Sequence, residues 1–289
     1  MKMELDCIPC FIRQALQAGR FAIDDKEIQQ QILKEVMKTL IDSDWDVNTS
    51  TMGNIVGNIV KILTNNSDPY YKEKKHYNRV AMDMYPDIEH LINKAKDPLY
   101  TAVKLAIAGN IIDFGAKETF DLNKTISKVL KSPLEIDNYE SLRETIKTTQ
   151  TLIYLSDNSG EIVFDKLLLE TILKIGKIQK ITFVVKGIPF LNDAMFEDAQ
   201  DIGLDKIPQI EFSKVCVGSS ETCSSKTSPS FLAMLKGSDM VISKGQANYE
   251  DLCNQDYIYF LLMVKCPVVA KHMNVPVGST ILRGPPHLS

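Results

Sequence analysis

The sequence predicts an α/β fold: an all-helical N-terminal part, then a mostly parallel sheet covered by helices on both faces. Three observations lead there. Apolar residues recur at three- and four-residue steps through the first half. Near residue 150 the pattern changes to short β-branched runs alternating with helix-periodic stretches, the signature of strand–helix–strand units. The composition, 44% apolar and 24% charged, is that of an ordinary globular chain. The change falls at Lys147–Gln150, so the 289 residues divide into a helical domain, 1–148, and an α/β domain, 149–289.

Within the first part, Asp25–Ser43 carries Ile28, Ile32, Val36 and Leu40 on one face, and Asp24 or Asp25 can cap it. Met52–Leu63 repeats the spacing with Ile55, Val56, Ile59 and Val60, and Thr101–Phe114 does so less strictly. Ser141–Thr148 reads as a short polar helix, and no strand is expected before residue 150. In the second part, Thr151–Leu155 is the first strand, and Glu161–Ile175 is a helix ended by Gly176. Ile181–Val185 is the next strand and Asp193–Ile202 the next helix. Ile210–Phe212, Met240–Ile242 and Val268–Ala270 complete the expected strands, and the small residues of Gly218–Ser230 read as a surface loop.

A net charge of −4 argues against nucleic-acid binding driven by bulk charge. The start of the chain lacks a basic-then-apolar leader. The longest apolar stretches, Tyr257–Val264 and Cys266–Ala270, are far short of the ~20 residues that span a bilayer. A soluble cytoplasmic protein without a membrane partner is expected. Its cysteines are then mostly reduced, with Cys216, Cys223, Cys253 and Cys266 as core or loop residues. Oligomeric state is open.

Ligands of an open parallel sheet bind beyond the carboxyl ends of its strands. Three polar clusters fall there. Ser156-Asp157-Asn158-Ser159-Gly160-Glu161 reads either as a helix cap or as a site for a hard divalent cation, because carboxylate and amide oxygens suit magnesium or manganese. Lys186-Gly187-Ile188-Pro189-Phe190-Leu191-Asn192-Asp193 is a second acidic strand end. Adjacent strands lie ~5 Å apart, so Asp157 and Asp193 could reach one ion. Ser243-Lys244-Gly245-Gln246-Ala247-Asn248-Tyr249-Glu250 is an ordinary turn, or else offers a cation and bare amides to a phosphoryl oxygen. It lacks the Walker order, and no glycine fingerprint for a dinucleotide or S-adenosylmethionine follows any strand. An aspartyl-phosphate route is disfavoured because position 159, where a second Asp is needed, is Ser. The inventory favours attack by metal-activated water on a phosphorylated small molecule.

These three clusters, with Cys7-Ile8-Pro9-Cys10-Phe11, Asp68-Pro69-Tyr70 and Ala108-Gly109-Asn110-Ile111-Ile112-Asp113-Phe114-Gly115, resemble the damage-control metal-dependent phosphatases, the family of domain of unknown function 89. The N-terminal Cys-x-x-Cys resembles its archaeal and bacterial subgroup. The resemblance spans Cys7 to about Gly278. It implies a Rossmann-like α/β domain beneath a helical one, and a divalent metal (Mg, Mn, Co or Ni) on Asp157, Asn158 and Asp193. It also implies phosphate on Lys244 and its neighbours, and sugar phosphates or damaged phosphometabolites as substrates. On this reading Ser243, Lys244, Gly245 and Gln246 hold phosphate. Glu161 orients the attacking water, and Asn110, Asp113, Lys186 and Asn192 line the pocket. Asn78, one turn beyond Lys75, is expected to reach the substrate, while Lys75 and Arg79 either do so too or face solvent. Cys7 and Cys10 read as half-buried thiols, a redox pair or a shared metal site. The competing functions are a carboxyl methyltransferase and a non-enzymatic metal- or redox-sensing module.

Overall fold

The computed structural model describes residues 1–109, 129–216 and 224–286. Five helices open the chain: α1 Cys7–Ala22, α2 Lys26–Asp42, α3 Thr49–Thr64, α4 Tyr71–Lys94 and α5 Pro98–Ala108. Asp25 caps α2, accepting from the amides of Glu27 and Ile28 at 2.8 and 3.3 Å. The apolar stripes of α1, α2 and α3 meet in a small core of their own around Phe11, Ile32, Val36, Val56 and Val60. Helices α4 and α5 turn inward instead: Ile88, Val103 and Ile107 share the core beneath the sheet with Phe164, Leu168 and Tyr154. Helices on both sides of residue 148 thus share that core.

The sheet has eight strands in the order β1-β8-β7-β6-β2-β3-β4-β5. They are β1 Ile136–Asp137, β2 Thr151–Leu155, β3 Lys180–Lys186, β4 Ile210–Cys216, β5 Ser224–Ser225, β6 Met240–Lys244, β7 Ile258–Met263 and β8 Thr280–Arg283. Every pairing is parallel except β7 with β8. Between them run α6 Tyr139–Thr148, α7 Glu161–Ile175, α8 Phe196–Asp201, α9 Pro229–Lys236, α10 Gln246–Leu252 and α11 Pro267–Met273. A second core, with Val184, Val241, Phe260 and Val269, covers the other face. The chain steps outward from β2 through β3 and β4, then returns to lay β6 on the other side of β2. The ends of β2 and β6 therefore flank a topological switch point, where a crevice opens beyond the sheet.

Four expectations change. A strand does occur before residue 150: β1, only two residues long, pairs with β8 at the chain's far end, a partner that local pattern cannot reveal. Val268–Ala270 is helical, because Pro267 at the first position of α11 sets a helical φ and needs no amide partner. The strand lies just before it, in β7, where the apolar stretch from Tyr257 carries the β-branched and aromatic residues. The segment read as a surface loop contributes β5 and the start of α9. Cys216 is disulfide-bonded rather than a reduced thiol, whereas Cys7, Cys10, Cys253 and Cys266 are free. Among the described residues, no helix is long and apolar enough to cross a membrane.

Candidate active site

The loop after β2 is held from three sides. The Ser156 amide and hydroxyl both donate to Val184 O, at 3.1 and 2.7 Å. The Ser159 amide donates to Asn192 O at 2.9 Å, and the Ala194 amide donates to Asp157 O at 2.8 Å. These cross-links, with the backbone bridge between Asn158 and Asp193, carry the two acidic strand ends to one place. From the helical side, Asn78 on α4 accepts the Gly160 amide at 2.6 Å and donates to Asp198 at 3.1 Å. Asn78 thus shapes the loop and does not line the cavity, contrary to its expected reach toward substrate. Lys75 pairs with Asp201, and Arg79 contacts His76, so neither lines it.

A cavity of about 330 Å³ opens at the switch point. Asp157, Asn158, Lys186, Asn192, Asp193 and Gln246 line it from the strand ends, while α1 and the start of α3 form the facing wall. Leu191 in that lining holds a left-handed φ of 47°, unusual for a branched residue and typical of functional loops. Gly53 on α3 lets the Phe190 ring close in: a Cβ there would lie 3.3 Å from it.

Asp157 shows how closely this floor is built. Gly245 has φ +83°, and a Cβ there would fall 2.0 Å from Asp157 Oδ2. Only glycine leaves room for that carboxylate. Burial, with Glu161 and Asp193 nearby, pushes the Asp157 pKa up to about 8. Asn158 Nδ2 donates to Asp157 Oδ2 at 2.9 Å and to Glu161 Oε2 at 3.3 Å. A buried carboxyl held in its neutral form beside two further carboxylates is stabilised as an anion by an added cation. Two carboxylates and an amide make a hard, oxygen-rich donor set. No group of three or more His, Cys, Asp or Glu side chains suited to a metal occurs among the described residues. Any metal here would thus rest on Asp157, Asp193 and the Asn158 amide, completed by water or substrate.

The expected phosphate lysine sits elsewhere. Lys244 is fully buried behind the loop, its ammonium held by Ala106 O at 2.8 Å, Glu161 at 2.7 Å and Asp165 at 2.5 Å. Burial works to lower its pKa, but Asp165 and Glu161 raise it further. Glu161 is itself 2% exposed, bound to Lys244 and to Asn158, so it braces the metal-type donors and does not face the cavity. The Gly245 amide donates to Leu261 O at 3.0 Å and offers nothing to a ligand. Ser243 is buried in β6, its hydroxyl without a partner among the described residues. Asn110 and Asp113 lie outside the described residues.

The cations facing the cavity are Lys186, Lys226 and Lys265. Lys186 pairs with Asp193 at 3.0 Å. Lys226 bonds Asn248 and lies 3.4 Å from Asp251. The Lys186 and Lys226 ammoniums adjoin, and burial with that like charge pushes the Lys226 pKa down to about 8. Two buried cations side by side favour an anion between them. Asn248 ties this side to the floor, donating to Ser156 O at 2.9 Å and Lys244 O at 2.7 Å. Sequence reasoning missed Lys226 because a lone lysine among small residues carries no periodic or motif signal.

A family model described as damage-control phosphatase ARMT1-like domain matches residues 3–281. A Methanocaldococcus jannaschii protein, described only as uncharacterized MJ0202, is 34% identical, over 98% of this chain and 95% of its own. Damage-control phosphatase PH1575 of Pyrococcus horikoshii is 31% identical over 97% of each chain. A damage-control phosphatase of Archaeoglobus fulgidus is 30% identical over 98% of this chain and 99% of its own. The crystal structure of the P. horikoshii protein, described as of the DUF89 family, superposes with a TM-score of 0.86 and 29% identity, covering 99% of this chain and all of that one.

Proposed function

We infer that this chain, which belongs to the damage-control phosphatase ARMT1-like family, hydrolyses phosphate esters of small metabolites with the help of a divalent cation. The observation that carries the reading is the meeting, at one cavity, of the Asp157–Asn158–Asp193 oxygens with the adjoining Lys186 and Lys226. Asp157, Asn158 and Asp193 would hold the cation, magnesium, manganese, cobalt or nickel. Such an ion supplies Lewis-acid polarisation and lowers the pKa of a bound water.

The chain's own residues do the rest. Lys186 and Lys226 receive the phosphoryl oxygens, and their mutual repulsion is relieved as the anion enters. Gln246 is fixed by the Lys265 amide and by Glu250, both at 2.9 Å, and faces the substrate beside Asn192. Glu161, Lys244 and Gly245 act as positioning residues. Glu161 holds Asn158, Lys244 anchors Glu161, and Gly245 leaves Asp157 its place. The cavity volume fits a small ligand. Sugar phosphates and damaged phosphometabolites are the substrates to try.

The test is phosphate release from p-nitrophenyl phosphate and a panel of sugar phosphates, with each of the four metals and with chelator. Release that needs a divalent metal and vanishes in Asp157→Ala, with its circular dichroism unchanged, is expected. Wild-type turnover by Asp157→Ala, or none by the native chain with any metal, would overturn the reading.

A further inference from the structure

Phosphate hydrolysis has no use for thiols, yet three half-buried free cysteines face this cavity. Cys7 and Cys10 lie on the first turn of α1, and Cys266 sits just before α11. Gln14 donates to Cys10 Sγ at 3.4 Å. Gln246, itself a cavity residue, donates to Cys266 Sγ at 3.2 Å, and the Val269 amide does so at 3.5 Å. Cys10 and Cys266 are therefore oriented, and Cys266 is linked through Gln246 to the substrate side. The Cys7 side chain packs on the separate α1–α3 core, and that of Cys266 on the core of the sheet. Burial raises the Cys7 pKa most. Glu250, Cys266 and Cys10 add to that rise, and Cys7 and Cys266 line the same cavity from α1 and from the start of α11.

We propose that Cys7 and Cys266 form a reversible redox-modification site, in which a disulfide made by exchange with a low-molecular-weight disulfide ties α1 to the start of α11 across the cavity and closes it. In the first step Cys266, as thiolate, attacks one sulfur of the reagent. This forms a mixed disulfide and releases one thiol. Cys7, after losing its proton to solvent, attacks the Cys266 sulfur and expels the second thiol. Two protein thiols are oxidised and one reagent disulfide is reduced to two thiols. A disulfide needs Cα atoms within about 7 Å, so the link fixes the amino end of α1 against the opposite wall. Loss of turnover on closure rests on the phosphatase reading, whereas formation of the link does not.

The test incubates the full chain with oxidised glutathione or with dithiothreitol and maps peptides without reduction. The expected result is a Cys7–Cys266 peptide, slower N-ethylmaleimide labelling of Cys10, and loss of p-nitrophenyl phosphate turnover that dithiothreitol restores. Cys10→Ser should still form the link, while Cys7→Ser and Cys266→Ser should not. A Cys7–Cys10 peptide in its place, stable single glutathione adducts, or a complete link with unchanged Cys10 labelling would each overturn the proposal. If neither redox form turns over substrate, the labelling and peptide results still decide it.

Discussion

Two buried lysines, separated by the loop after β2, are treated in opposite ways. Lys244 has three acceptors and no opening; every donor is consumed by Ala106, Glu161 and Asp165. Lys226 is almost as buried, yet adjoins Lys186 and faces the cavity. The first lysine is matched by the protein itself; the second, beside a like charge, would on the proposed function be matched fully by the anion of the substrate. Burial alone therefore does not identify a binding group. The completeness of its partners does.

Removing each lysine should separate the two roles. The largest effect is expected for Lys244→Met, which leaves Glu161 and Asp165 facing each other without a cation and should cost about 3–5 kcal/mol in denaturant unfolding. A loss under 1 kcal/mol would show that the carboxylates simply take up protons. Lys226→Met gives up the Asn248 and Asp251 contacts but relieves the repulsion with Lys186, so it should cost only about 1 kcal/mol of stability while lowering kcat/KM about a hundredfold, the usual penalty for losing one donor to a developing oxyanion. Equal stability losses in the two variants would erase the contrast.

The pH dependence is a milder test. In the metal-free chain the folded pKa of Asp157 is raised from 3.8 to about 8, so the folded state holds a proton that the unfolded state has released. Its contribution to stability is therefore complete below pH ~4, falls as pH rises, and is gone above pH ~8. Thermal unfolding with chelator should show that decline, and Asp157→Asn should flatten it. Magnesium should bind more tightly at pH 9 than at pH 6. The smallest effect is expected at Lys75: its half-exposed pair with Asp201 is screened, so Lys75→Ala should shift stability by about 0.5 kcal/mol or less.

Much of the floor was legible in the sequence. Asp157, Asn158 and Asp193 stand in polar clusters that end two strands, which the sequence reads either as caps or as ligands, and parallel pairing of β2 with β3 makes them neighbours. The cation side was not. A strand buried on both faces shows no alternation, so nothing tells whether Lys244 points to the ligand or to the helices behind, and α5 and α7 decide it. Lys226 depends on the β4–β5 edge carrying it inward, and Asn78 on α4 lying over the loop; both are tertiary facts. The strand–helix misreading at Val268–Ala270 had a local cure, since Pro267 was there to be weighed.

The bond from Gly160 to Asn78 has a consequence for descent. Gly160 has no side chain with which to cap α7, and the acceptor comes from a residue 82 positions earlier, whose other end holds Asp198. Three positions on three elements are thereby one heritable unit. A change at 78 alone frees the loop and leaves Asp198 short of a donor, so related chains should keep the trio or replace it together. Lys74, one turn earlier on α4 and 3.7 Å from Asp198, belongs to the same unit.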